Sequence, residues 1–348
     1  MIDLVLKEFG LNNETVSIQQ LHQGLINHTW KICKNEHAFI VQKINDQVFK
    51  KPEDIEQNID LIADFLKINQ PDYLFVLPLK AVNGKSMIYI NDEGFYRAFP
   101  FVEGSHSKDF VETPEQAYEA AKQFGKFTKL LSKIDVVKLK ITIPSFHDLG
   151  LRYHQFIIAL ENGNQKRVFE CADLIKQLKE WSFITDEYEK IKKNTAFKLR
   201  VTHHDTKISN VLFDADDKGL CIIDLDTVMP GYFISDVGDM MRTYLSPVSE
   251  EETDFNKIEV RDEFYKAIVE GYLSEMNYEL TEGEKKYFFF AGQFMIYMQA
   301  IRFITDYLND DVYYGAQYPD HNLLRAKNQM VLLQRLFEKE FILANLLL

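Results

Sequence analysis

The chain has 348 residues, 46% of them apolar, more than a single core usually holds, so two lobes are expected. Forty basic against 53 acidic side chains leave a net charge of −13, which excludes nucleic acid and an anionic membrane surface as expected partners. The cysteines Cys33, Cys171 and Cys221 are odd in number, scattered and without metal-ligand spacing, as packed thiols in a reducing cytoplasm would be.

The first eight residues carry acids where a secretory leader needs a basic region and an apolar block, so a cytoplasmic location is expected. Residues 16–20, 27–34 and 39–44 are rich in strand formers and read as three antiparallel strands. Over 52–67 the apolar side chains of Ile55, Ile59, Leu61, Ile62, Phe65 and Leu66 recur at helical spacing, and Pro52 suits the first turn. Residues 85–91 and 95–101 flank Asp92-Glu93-Gly94 and add a hairpin.

After Gly104 the pattern turns helical over 113–133, 149–161, 167–194, 260–276 and 282–304. The most apolar stretch, 287–304, is interrupted by Gln293, Gln299 and Arg302 and reads as a buried core helix rather than a membrane span. One strand pair, 211–213 with 220–223, interrupts the helices at the junction of the lobes. The expected fold is α+β: a small antiparallel sheet with one helix over 1–103, then a larger, mainly helical lobe over 104–348.

The informative stretch is His203-His204-Asp205-Thr206-Lys207-Ile208-Ser209-Asn210, followed by Ile223-Asp224-Leu225-Asp226. Phosphoryl transfer asks a protein for positioning and charge neutralisation: a carboxylate for the acceptor hydroxyl and oxygen ligands for magnesium. Asp205 suits the first task. Asn210, five residues on, can offer an amide oxygen to a metal held on its other side by Asp224. Asp224 and Asp226, two apart on a strand, are expected to share a face, both toward one ion or one ordering the other. Lys207 is placed to touch a γ-phosphate, with a solvated loop lysine as the competing reading. His203 is expected to be structural, and Asp236 and Asp239 to cap or brace the next helix.

This constellation resembles the aminoglycoside phosphotransferase and choline kinase superfamily. Gly24-Leu25-Ile26-Asn27, Gln42-Lys43-Ile44-Asn45, Thr142-Ile143-Pro144-Ser145-Phe146-His147 and the run Ile223 to Gly231 are similar, more closely, to its N-acetylhexosamine 1-kinases. So are the segments from Arg302 to Leu308, Asp311 to Tyr313 and Tyr318 to Leu323. The resemblance implies a protein-kinase-like two-lobed fold, with ATP and Mg2+ as cofactors and the anomeric hydroxyl of N-acetylglucosamine or N-acetylgalactosamine as acceptor. It implies the nucleotide in the first lobe, with Lys43 on the α- and β-phosphates, Val41 under the adenine and Gly24 letting backbone approach the phosphates. Glu53 and Glu56 compete as the partner of Lys43. By analogy Pro100 and Val102 are hinge contacts to adenine, and Arg302 and Tyr313 address the sugar.

The partners are then a small-molecule sugar and ATP, with the chain a monomer or a homodimer. Aminoglycoside, choline, homoserine or thioribose kinases, and a nucleotide-binding regulator without catalysis, are the alternatives. A protein kinase is disfavoured, because Asp224-Leu225-Asp226 stands where Asp-Phe-Gly is expected.

Overall fold

A computed structural model describes residues 2–12, 16–21 and 27–346. Gly24, one of the expected nucleotide contacts, lies outside the described residues. In chain order the elements begin with α1 (Ile2–Glu8), β1 (Val16–Leu21), β2 (His28–Lys34), β3 (His37–Lys43), α2 (Pro52–Asn69), β4 (Met87–Ile90) and β5 (Gly94–Pro100). Then come α3 (Pro114–Leu130), α4 (Leu149–Asn162), α5 (Gln165–Glu170), α6 (Ala172–Glu180), α7 (Phe183–Lys193), β6 (Arg200–Thr202), β7 (Val211–Phe213) and β8 (Gly219–Ile222). β9 (Met229–Gly231), α8 (Phe233–Tyr244), α9 (Asp262–Met276), α10 (Glu282–Lys285), α11 (Phe288–Leu308), α12 (His321–Glu338) and α13 (Glu340–Asn345) complete the chain. The fold is α+β, as expected.

The chain divides into two compact units that interleave. One consists of Met1–Ser107, Leu130–Pro144 and Val211–Pro230; the other of Lys108–Lys129, Ser145–Asn210 and Gly231–Leu348. They therefore do not follow a single cut at 103/104. The segment 130–144 and the β7–β8 hairpin group with the sheet because buried polar side chains hold them there. Asn58 of α2 donates to the carbonyls of Lys140 (2.9 Å) and Val228 (3.0 Å), and the N–H of Lys140 returns a bond to its Oδ1 (2.7 Å).

In the sheet unit the antiparallel strands run in the order β1-β2-β3-β5-β4. Because side chains alternate between faces and Val41 lies opposite Ala98 and Trp30, one face carries Trp30, Ile32, Val41, Tyr96, Ala98 and Ile88. Val5, Leu6, Phe9 and Leu11, on α1 and just after it, seal that face. The opposite face carries Thr29, Gln42 and Arg97.

In the helical unit the apolar stretch forms α11, buried along almost its whole length against α4, α7, α8 and α12. Among the described residues no helix is long and apolar enough to cross a membrane. Two of the helices expected from periodicity are divided. Residues 167–194 make α5, α6 and α7, with Cys171 (φ −105°, ψ 14°) and Trp181 (φ −96°, ψ 12°) in the bridge region. Each break resets the phase of the apolar stripe, so Leu174, Ile175 and Leu178, then Ile184, Tyr188 and Ile191, are buried in turn. Likewise 282–304 begins with the one-turn α10. It is closed by a capping box in which the Glu284 N–H donates to Thr281 Oγ1 (3.1 Å) and the Thr281 N–H to Glu284 Oε2 (2.9 Å).

α8 approaches α11 through Gly238. A methyl there would land against the carbonyl oxygen of Ala291 and 2.9 Å from Met295 Cβ, with little room to give because backbone is involved. Gly238→Ala is expected to destabilise the protein by about 1–3 kcal/mol, the usual range for overpacking. A thermal unfolding midpoint equal to that of the wild type would rule this close approach out.

Candidate active site

β6 delivers the chain into the loop 203–210, whose backbone would leave its N–H groups buried without partners unless side chains supplied them. α8 supplies them. Asp236 accepts from the N–H of His203 (3.0 Å) and of His204 (2.8 Å), and Asp239 from the N–H of Thr206 (2.8 Å). Thr206 Oγ1 donates to the Asp236 carbonyl (2.8 Å), and the Tyr244 hydroxyl to the Thr206 carbonyl (2.5 Å). Asp236 and Asp239, expected to cap or brace the helix, instead brace the loop. Burial pushes the Asp236 carboxyl up to about 7, against the two N–H donors that stabilise its anion.

His204 sits at φ 65°, a left-handed position that few non-glycine residues occupy, one residue before Asp205. Its ring is held by Thr202 Oγ1 (2.8 Å) and by Nδ1 of His147 (3.3 Å), and Gly231 leaves the space for it. The Asp205 carboxylate, about one-fifth exposed, pairs with Lys207 Nζ at 3.3 Å. Burial would raise its pKa, but Lys207 and His203 outweigh that and hold it below the ordinary carboxylate value; Asp205 in turn raises Lys207. Asn210 donates through Nδ2 to the Asp205 carbonyl (2.9 Å). An acceptor there fixes the amide's orientation, so Oδ1 is left for another partner.

A chain of contacts in the same unit leads from the loop to Arg302. His147 stacks on Phe146 with centroids 4.4 Å apart, and the Arg302 guanidinium lies 5.6 Å from the Phe146 ring and 5.4 Å from that of Tyr314. Arg302 donates to Gln299 Oε1 (3.2 Å) and the Tyr313 hydroxyl (3.5 Å). Asp306, one helical turn on, makes no ion pair with Arg302. That carboxylate instead accepts from the N–H groups of Tyr313 (2.7 Å) and Tyr314 (2.9 Å), and so shapes the turn that presents both rings. Arg152, also nearby, is lowered by burial and by Arg302. Burial likewise keeps His147 well below the ordinary imidazole value, and neutral.

In the sheet unit Asp224 is exposed at φ 60°, ψ 60°, just past β8, while Asp226 is buried in the 3-10 turn Leu225–Thr227. The two aspartates therefore lie on no common strand face. Asp226 is taken by Arg97 (2.5 Å) and by Asn27 Nδ2 (2.7 Å), so it orders the segment rather than sharing an ion. Pro100 ends β5, exposed, and Val102 lies in the following turn, its carbonyl accepting from Ser105 N–H (3.2 Å) and Oγ (2.6 Å).

Two expected nucleotide contacts are corrected. Val41 is 0% exposed in the apolar core beneath α1, so it cannot line an adenine site. Lys43 shares that face, and its Nζ reaches Glu93 (3.5 Å) in the turn before β5 rather than the side of the sheet that meets Asp226. Neither candidate glutamate of α2 pairs with it here: Glu56 accepts from Ser86 N–H (3.0 Å) and Oγ (2.6 Å), and Glu53 is exposed. Arg97, Asn58 and His147 were assigned no role from the sequence. A lone charge inside the apolar run 95–101, and an amide among Ile55, Ile59 and Ile62 on the buried stripe of α2, are the signals that could have marked the first two.

The model of the phosphotransferase enzyme family matches residues 17–283. The structure is similar to that of a microcompartment-associated aminopropanol kinase, with a TM-score of 0.61 at 16% identity over 99% of this chain and 98% of that one. It is also similar to a spectinomycin phosphotransferase in complex with ADP and spectinomycin (TM-score 0.60, 16% identity, 97% of each chain). A choline kinase from Cryptosporidium parvum gives a TM-score of 0.56 at 14% identity over 99% and 97%. These likenesses are of fold, the kinase-like combination of a small antiparallel sheet with a helical unit. The family match covers most of the chain, including the loop 203–210 and both aspartates beyond it: this protein belongs to the phosphotransferase enzyme family.

Proposed function

We propose that the chain is an ATP- and Mg2+-dependent small-molecule kinase that phosphorylates the anomeric C1 hydroxyl of an N-acetylhexosamine. The observation that carries the reading is the loop 203–210. Strapped to α8, it presents an ionised carboxylate beside a lysine, and an amide oxygen whose other end is already bonded.

Asp205 accepts the proton of the acceptor hydroxyl as its oxygen bonds to the γ-phosphorus and the bond to the leaving ADP breaks. Lys207 keeps that carboxylate ionised and faces the charge that develops on the transferred group. Asn210 Oδ1 and the exposed carboxylate of Asp224 are the proposed magnesium ligands, because both offer the hard oxygen atoms that this ion takes. When bound, the ion neutralises charge on the phosphate oxygens. Pro100 C=O and Val102 N–H are the proposed adenine contacts.

For the acceptor, support comes from Arg302. Among the described residues its hydrogen-bond partners are the neutral Gln299 and Tyr313, it lies against aromatic rings, and Arg152 stands close enough to be depressed by it. Such a wall repels a polycation and favours a neutral ligand with carbonyl and hydroxyl oxygens stacked on an aromatic face. Turnover with N-acetylglucosamine and N-acetylgalactosamine but not with kanamycin or choline is the expected outcome of parallel ATP-coupled assays. Phosphorylation of the amines alone would replace the hexosamine reading.

Three variants test the roles. Asp205→Asn should lower kcat by about 10² to 10⁴ with ATP binding unchanged. Undiminished turnover removes the base. Arg302→Met should raise KM for the hexosamine by about 10- to 100-fold at nearly constant kcat, the worth of one charged hydrogen bond. An unchanged KM takes Arg302 out of the acceptor site. Because the Asp205 carboxyl is held below the ordinary carboxylate value, the stability of its pair with Lys207 is fully present above that ordinary value and is lost as pH falls below it, through the lowered one. Lys207→Ala removes the charge that most lowers Asp205, so the acid limb of kcat/KM should move up. A pH profile that keeps its acid limb in place contradicts the pairing.

A further inference from the structure

The segment carrying Asp224 is pinned from two independent elements of the sheet unit. From β5, Arg97, 1% exposed, reaches Asp226 Oδ1 at 2.5 Å, while its Nε and second terminal nitrogen donate to Gln42 Oε1 at 3.0 and 2.8 Å. From α2, Asn58, also 1% exposed, donates to the Val228 carbonyl at 3.0 Å. Residues 226 and 228 are thus both fixed, just after a non-glycine residue in the left-handed region. Such a conformation persists only where surrounding contacts over-determine it. Lys43, meanwhile, is on the other face of the sheet with Glu93.

We infer that Arg97 and Asn58 are positioning residues for metal binding. By holding residues 226 and 228 they fix the backbone of Asp224 so that its carboxylate is presented for the ion, a task that a lysine–glutamate pair between β3 and α2 does not perform in this chain. The inference rests on Asp224 being a metal ligand. An arginine fork suits the work, because its planar donors bind Gln42 and Asp226 at once and resist rotation. The amide of Asn58 suits it equally, since Lys140 takes the rest of its bonding capacity and leaves it one orientation.

The test is Mn2+ binding to the full chain with ADP, read by electron paramagnetic resonance of the free ion, beside the Mg2+ dependence of turnover and the thermal midpoint. Arg97→Lys, which keeps the charge but not the fork, and Asn58→Ala should each weaken Mn2+ binding at least about tenfold, with KM for the acceptor unchanged. Arg97→Met combined with Asp226→Leu replaces the buried pair by apolar side chains of similar reach and should recover the thermal midpoint of the wild type. If it regains stability while Mn2+ binding stays weak, the role is positioning; if Mn2+ affinity returns with stability, the pair is only structural and the inference falls. Asp224→Ala separates the two readings. Loss of Mn2+ binding there, with Arg97→Lys and Asn58→Ala like the wild type, sinks this inference alone, whereas intact binding in Asp224→Ala sinks the metal assignment beneath it.

Discussion

The carboxylate of Asp236, buried and bonded to two consecutive backbone N–H groups, is the constraint on which the loop 203–210 depends. A loop this buried cannot leave its donors to water, and a buried carboxylate cannot remain without donors, so each requirement meets the other. The dependence extends inward. Asp236 is placed by α8, α8 is placed by the backbone contact of Gly238 with α11, and α11 is fixed because it is apolar nearly all round and must be enclosed. An apolar helix with no chemistry of its own thereby sets the position of the proposed base.

The sheet unit solves the same problem differently. There the backbone around Asp224 is held through side chains at 226 and 228, and the charge of Arg97 is bearable in the core because Asp226 and Gln42 absorb its donors. Replacing one member would leave the other buried and unpaired, whereas removing both together would leave nothing to desolvate. Stability and placement are coupled in such a network, and for that reason stability and metal binding have to be measured side by side.

Much of this was legible in the sequence, and the misses have physical causes. The five sheet strands, α2 and the β7–β8 hairpin follow from strand formers, turn residues and helical spacing. The residues Asp205, Lys207 and Asn210 lie together in one loop, as their spacing suggested. The face of β3 was not legible. Ile40-Val41-Gln42-Lys43 offers apolar side chains to both sides, and with period-two alternation a choice of the wrong side inverts every assignment. What decides it is α1, whose Val5 and Leu6 cover the face of Val41 and Lys43, and no helix was expected there. The left-handed conformations of His204 and Asp224 were likewise hidden, since neither is the glycine or asparagine that usually marks such a position.

Bulk charge misleads about the proposed acceptor wall in a related way. A net charge of −13 would suit a polycationic acceptor, yet it is a sum over the whole surface and says little about one wall of a site. Local charge is set by which side chains the fold converges. Here Asp306, the acid one helical turn from Arg302, is drawn off by the backbone N–H groups of Tyr313 and Tyr314. The same two bonds that shape the aromatic turn thus leave the guanidinium with neutral partners. A ligand oxygen that replaces Gln299 or Tyr313 at Arg302 would compete with a weak neutral contact instead of a salt bridge, so a neutral sugar has something to gain there that an ammonium group does not.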